Sequence, residues 1–251
     1  MRDPTVGLYV HIPFCERICP YCDFAVVRTR VLEPKQEDLY VDALLEELGA
    51  RHGAFAQRRL ETVYLGGGTP SLLRPESVAR ILAAAQAAFG GSDPREVTLE
   101  VNPSTLERAR LPGFRAAGVN RLSVGVQSFN DVVLRRLGRA HRASEARATL
   151  RSARDAGFLN LSLDLIFGAP EQREEDFARD LDETVGFAPQ HVSAYGLTVE
   201  PGTPFARAAE RGQLKLADED SVALMMERAA AQLTQAGLVP YEISSFARPG
   251  F

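Results

Sequence analysis

The chain has 251 residues, 45% hydrophobic and 25% charged, with 20 Gly and 15 Pro. This composition excludes a collagenous, low-complexity or largely disordered chain. With 29 Lys and Arg against 33 Asp and Glu the net charge is −4, so no basic excess points to a nucleic acid. No apolar run approaches the ~18 residues that span a bilayer, and Met1-Arg2-Asp3-Pro4 opens no secretory apolar region; a soluble, cytoplasmic protein is expected.

Along the chain, short runs rich in Val, Ile, Leu and Tyr alternate with helical periodicities. A strand is predicted over residues 6–12, followed by the helical stripe Tyr40, Val41, Leu44, Leu45 and Leu48. A strand at 62–65 precedes a second stripe, Val78, Ile81, Leu82 and Ala85, with Pro75 in its first turn. The strand at 97–101 leads to a helix at 106–116 stopped by Gly118, and the strand at 121–126 to a helix at 144–156. That helix has Ser144 as N-cap and Gly157 as its stop. A strand at 159–166 is followed by a helix at 174–185. A last strand at 191–196 precedes a helix at 218–233 between Asp218 as N-cap and Gly237, with Met225-Met226 on its core stripe. This α/β order means right-handed βαβ crossovers and a parallel sheet, which either winds doubly or curls towards a barrel. Polar residues recur at strand C-termini, where α/β barrels place their chemistry. Residues 1–237 read as one core and 238–251 as the start of a connection to a further domain.

The three cysteines, Cys15, Cys19 and Cys22, fall in one C-x₃-C-x₂-C run after the first strand. An odd, clustered count makes a poor disulfide framework and fits a reducing compartment. Three thiolates from one loop can hold a [4Fe–4S] cube with one iron left open to a ligand. A zinc site would need His11 as its fourth ligand. Three buried structural thiols are the bland alternative.

The run Leu65-Gly66-Gly67-Gly68-Thr69-Pro70 is neither a Walker loop nor a G-x-G-x-x-G fingerprint. It is either a tight βα turn or a place where backbone approaches a ligand. Glu100 closes the third strand before Asn102-Pro103, and Gln127 closes the fourth. Asp164 sits inside an apolar strand, which is costly for an unpaired carboxylate. Arg139 is a partner for an anionic ligand group. Each alone reads as a cap, a turn former or a structural ion pair; at successive strand ends they favour one shared ligand. His141 reads as loop and His191 as strand entry, since no Ser–His–Asp or Cys–His arrangement surrounds them.

Together these residues resemble the radical S-adenosylmethionine (SAM) superfamily, whose signature is the same cysteine spacing. The closer resemblance is to the branch holding oxygen-independent coproporphyrinogen III oxidase and the HemW group of heme chaperones. It rests on Tyr9-Val-His-Ile-Pro-Phe-Cys15, Tyr64-Leu-Gly-Gly-Gly-Thr-Pro70, Glu100-Val-Asn-Pro103, Gly125-Val-Gln-Ser-Phe129 and Asp164-Leu-Ile-Phe-Gly168. The resemblance implies a partial (β/α)₆ barrel with a [4Fe–4S] cluster on Cys15, Cys19 and Cys22 at its open top, the free iron holding SAM. It implies that Gly67, Gly68 and Thr69 meet the methionyl amino end, Glu100 the ribose, and Tyr9 and Tyr21 the cofactor's flank. Gln127, Arg139, Asp164 and Gly196 match positions that in the oxidase contact a second SAM.

The oxidase continues its motif as C-x₃-C-x₂-C-x-C, whereas Cys22-Asp23-Phe24 resembles the HemW group. The implied function is a heme chaperone that delivers heme to acceptor proteins, membrane-bound ones included, and draws on an electron donor. Oxidative decarboxylation of coproporphyrinogen III is the alternative, and a structural or interaction module with no chemistry a third. The group carries an H-N-x-x-Y-W motif after an R-P-G segment. This sequence stops at Phe251, just past Arg248-Pro249-Gly250, so heme is expected mainly through a region beyond it.

Overall fold

Six parallel strands, each followed by helix, make the body of the sheet. The computed structural model describes residues 4–55, 57–91 and 93–251. In chain order the elements are β1 (Thr5–Ile12), β2 (Phe14–Cys15), β3 (Val27–Arg28), α1 (Pro34–Arg51), β4 (Arg59–Gly67), α2 (Pro75–Ala88), β5 (Glu96–Val101) and α3 (Thr105–Ala116). There follow β6 (Arg121–Gln127), α4 (Asp131–Arg136), α5 (Ala143–Asp155), β7 (Asn160–Phe167), α6 (Glu174–Gly186), β8 (His191–Gly196), α7 (Pro204–Glu210), α8 (Glu219–Gln235), β9 (Val239–Glu242) and β10 (Ser245–Ala247). The main sheet runs β1-β4-β5-β6-β7-β8-β10-β9, parallel through β8 and antiparallel beyond it. The strands β2 and β3 form a separate parallel pair.

Strand alternation decides what lies on each face. On β5 to β8, Val97, Leu99, Leu122, Val124, Leu161 and Leu163 are buried on the face that the helices cover. Val78 and Ile81 of α2, Phe114 of α3, Leu150 of α5, Phe177 of α6 and Met225 of α8 join the same core. The opposite face carries Glu96 and Glu100 of β5, Arg121 and Ser123 of β6, Asn160 and Asp164 of β7, and His191 and Ser193 of β8. All eight line a single cavity, as do Tyr241 and Ser245 from the closing hairpin. The sheet therefore curls around its polar face, giving the α/β partial barrel expected from the six βα units.

All six long strands lie where the pattern predicts them: β1, β4, β5 and β6 run up to three residues longer at an end, β7 is displaced by one residue, and β8 has the expected bounds. The helix expected from Ser144 begins at Ala143, after Arg142, and Glu145 closes its first turn by accepting from the Arg142 N–H (2.8 Å). Ser104, not noted in the sequence, caps α3 by accepting from Glu107 N at 3.2 Å, so that helix starts before Leu106. Asp218 caps α8 as expected, accepting from Ser221 N at 2.8 Å. The methionine pair divides: Met225 is fully buried and Met226 exposed. Two helices, α4 and α7, are too short to show a period and went unpredicted. Residues 239–247, read as the start of a connection, form a hairpin on this sheet. Among the described residues, no helix is long and apolar enough to cross a membrane.

Candidate cofactor site

The cysteine run is pinned at both ends by backbone hydrogen bonds. Cys15 lies on β2, its carbonyl accepting from Thr29 N at 2.7 Å, while Val27 N donates to Pro13 O at 2.7 Å. Between them Cys22 N donates to Cys19 O at 3.0 Å, closing a turn that brings the second and third thiols together. Pro20 packs onto Gly138, whose φ of +69° and lack of a side chain leave room for the proline ring. The thiols are free: Cys15 is buried, Cys19 and Cys22 half-buried. Burial pushes Cys15 and Cys22 above the ordinary thiol value, and the neighbouring thiols push the same way. All three line a cavity of about 910 Å³ that runs down the barrel from this loop.

These donors fit a cluster better than a single ion. A lone zinc draws four ligands to within about 2.3 Å. Among the described residues no three His, Cys, Asp or Glu side chains gather tightly enough to hold one metal ion. His11, the fourth ligand a zinc site would need, is engaged at both ring nitrogens, with Tyr9 Oη at 3.0 Å and Ala25 O at 2.8 Å. A cube spreads its thiolates over separate irons and asks for no fourth side chain.

The glycine run crosses the cysteine loop at close range. A Cβ on Gly68 would stand 2.8 Å from Phe14 O and 2.9 Å from Cys15 Sγ, so glycine is demanded there. The next residue, Thr69, directs its Oγ1 to Cys15 Sγ at 3.6 Å and accepts from Asn102 Nδ2 at 2.7 Å. On the adjoining wall Glu100 accepts from Tyr64 Oη (2.8 Å) and Gly67 N (3.0 Å). Burial raises the Glu100 pKa above the carboxylate range, although these two donors oppose the shift. A carboxylate so fixed, with its outer face on the cavity, is an acceptor for hydroxyl groups.

Arg139 enters from the loop before α5. Its guanidinium donates to Asn102 Oδ1, to Gly125 O at 3.2 Å and to Cys19 Sγ at 3.5 Å. Burial works against its charge, but Tyr21 and Cys19 hold it protonated. Its Nε is buried with no partner. A buried, unsatisfied donor on a charged group marks a place for an anion. Deeper in, Asp164 accepts from Ser123 Oγ at 3.0 Å; burial raises its pKa, with Ser123, Ser193 and Arg121 pulling it down. Gln127 stands at a register shift between β6 and β7 with φ +63°, a left-handed conformation that costs a non-glycine residue about 1–3 kcal/mol.

The structure brings Cys15, Cys19, Cys22, Tyr21, Gly67, Gly68, Thr69, Glu100, Gln127, Arg139, Asp164 and Gly196 to this one cavity. Tyr9 does not line the cavity; it stands on β1 opposite Tyr64 and on the same face, its ring stacked on Tyr64 at 6.1 Å. Sequence reasoning did not single out Tyr64, Asn102 or Arg121. The first two lay inside the quoted motifs. Arg121 looked like the polar start of a strand. His191 and Tyr241 also reach the cavity, where burial and Arg121 lower the His191 pKa to about 4. His141 lies outside it, buried against Val126 O at 3.1 Å, with its pKa lowered to about 3 by burial and Arg139.

Residues 9–184 match the family model of the radical SAM superfamily. Heme chaperone HemW of Haemophilus influenzae is 40% identical over 252 residues, covering 99% of this chain and 64% of the relative. HemW of Escherichia coli is 39% identical over 249 residues, with 99% and 64% covered. Radical S-adenosyl methionine domain-containing protein 1, mitochondrial, of Mus musculus is 41% identical over 245 residues, with 97% and 54% covered. Among solved structures, coproporphyrinogen III oxidase (HemN) from Escherichia coli, a radical SAM enzyme, superposes with a TM-score of 0.85 at 32% identity, over 99% of this chain and 57% of that one. The chain thus spans less than two thirds of the length of these relatives.

Proposed function

The chain belongs to the radical SAM superfamily, and from that premise we propose that it is the cluster- and SAM-holding part of a heme chaperone. Cys15, Cys19 and Cys22 hold a [4Fe–4S] cluster, and the groups facing them take SAM. When bound, the pair supplies one-electron reductive cleavage of a sulfonium C–S bond, chemistry that belongs to the cofactor. The protein's part is positioning and exclusion. Glu100, oriented by Tyr64 and Gly67, accepts the ribose hydroxyls. The buried, unpartnered Nε of Arg139 favours a carboxylate beside it, and the Gly67-Gly68-Thr69 backbone lets the amino end come close. Ile18, Phe24 and Val26 line the mouth with apolar surface that limits water.

Phe24 carries the choice between the two branch functions. It lines the cavity two residues after Cys22, where the oxidase pattern has a fourth cysteine. The HemW relatives support the same choice. In this reading SAM binding acts as a switch on heme handling, and heme passes to acceptor proteins while a donor protein reduces the cluster. The clustered thiols fit a reducing, cytoplasmic setting. Heme affinity is assigned mainly to the additional length of the relatives.

The test is anaerobic reconstitution. The chain should take up about four iron and four sulfide, bleach in air, and change its reduced EPR spectrum when SAM is added. A longer chain containing the relatives' additional region should bind about one heme, its iron held by an axial side chain, and release no CO₂ from coproporphyrinogen III. Multiple-turnover formation of protoporphyrinogen by that chain would replace the chaperone with the oxidase.

A further inference from the structure

Thr69 and Arg139 each touch a cysteine sulfur, and one side chain joins them. Asn102 follows β5 directly and is clasped between the two: its Oδ1 accepts from Arg139 Nη2 and its Nδ2 donates to Thr69 Oγ1 at 2.7 Å. The orientation of that amide follows from chemistry. A guanidinium only donates, so the amide oxygen must face Arg139 and the NH₂ must face Thr69. With a lone pair of Thr69 taken by Asn102, the hydroxyl proton is left for Cys15 Sγ, 3.6 Å away. The other arm of Arg139 donates to Cys19 Sγ at 3.5 Å. The chain of hydrogen bonds therefore has one direction, from Arg139 through Asn102 and Thr69 to Cys15, and it ends on two of the three cysteines.

We propose that Asn102 is a positioning residue that sets the reduction potential of the cluster by holding Thr69 and Arg139 as donors to Cys15 and Cys19. The proposal rests on the cluster reading above and goes beyond it. Reduction adds one electron to a centre bound by thiolates, so donors to those sulfurs favour the reduced form and raise the potential. Asn102 touches no sulfur; it acts only through the direction it imposes on its two neighbours.

Asn102→Asp is the sharpest change, because the side chain keeps its size. A carboxylate cannot donate to Thr69, so the hydroxyl turns its proton to residue 102 and away from Cys15. Added negative charge beside Arg139 acts in the same sense. The variant and the wild type are each loaded with iron and sulfide, and the midpoint is read by EPR-monitored redox titration without SAM. At the wild-type midpoint the reduced-to-oxidised ratio of Asn102→Asp should fall about tenfold, equivalent to about 59 mV for one electron. Thr69→Val should shift in the same direction by less, and Thr69→Ser should restore the wild-type value. The Thr69→Val shift should nearly vanish in an Asn102→Ala background, because the two act in series.

Unchanged midpoints in both Asn102→Asp and Thr69→Val would overturn the proposal, as would full additivity of Thr69→Val with Asn102→Ala. If Asn102→Asp fails to load, the Thr69 series decides the matter alone. Failure of the wild type to load any cluster would strike the cluster reading instead, an outcome separable by iron and sulfide analysis.

Discussion

The two faces of the curled sheet obey opposite rules although they alternate residue by residue along the same strands. The outer face, Leu99, Leu122, Leu163 and Val192, is apolar and sealed by helices. The inner face at the same levels is Glu100, Ser123, Asp164 and Ser193. Parallel sheets usually bury both faces and read as continuous apolar runs. Here the alternation leaves one face polar and lining a cavity. Stability should therefore reside on the outer face and function on the inner one, and substitutions on either side test that division.

The largest effect is expected where the inner face meets the cysteine loop. Replacing Cys15, Cys19 or Cys22 by Ala should take the iron and sulfide content from about four per chain to none, with the denaturation midpoint of the metal-free protein nearly unchanged. Stoichiometric zinc with no brown chromophore would break this expectation. Next comes the outer face: Leu163→Ala, at a site with no solvent exposure, should cost about 2–5 kcal/mol in urea unfolding while leaving the cysteine loop able to load.

Smaller effects sharpen the division. Glu100→Ala should weaken SAM binding by about 1–3 kcal/mol, measured anaerobically by calorimetry. Equal affinity would remove Glu100 from the site. The outer layer has a buried carboxyl of its own, Asp180 on α6, which accepts from Ser128 Oγ (2.6 Å) and Phe129 N (2.7 Å). Burial raises its pKa from 3.8 to about 6. The folded state then holds more protons than the unfolded chain between these values, so this group's contribution to stability is greatest below about pH 4 and falls as pH rises to about 6. Subtracting an Asp180→Asn unfolding series from the wild-type series should reveal a decline of about 1–2 kcal/mol across that window. A flat difference would show that Asp180 does not titrate there.

Much of the division was legible in the sequence, and the illegible parts share a cause. The six strands announced themselves because each has enough buried residues to show a pattern, whereas α4 and α7 span only six and seven residues. Ser144 looked like a cap by residue type, but the Arg142–Glu145 contact set the helix start one residue earlier. The hairpin β9–β10 gave no signal because Tyr241 and Ile243 are apolar yet exposed, so period and burial part company there.

What the sequence determined alone is whatever depends on neighbours along the chain. Three thiols within eight residues can chelate only as a group, and period-2 alternation assigns every strand residue to a face before any fold is known. What only the tertiary structure decided is which distant groups meet. Arg139 reaches Cys19 across 120 positions, Asn102 reaches Thr69 across 33 and Tyr64 reaches Glu100 across 36. Those meetings are set by strand order and register, quantities fixed by packing the whole outer face at once. Spacing within any one motif therefore does not specify them.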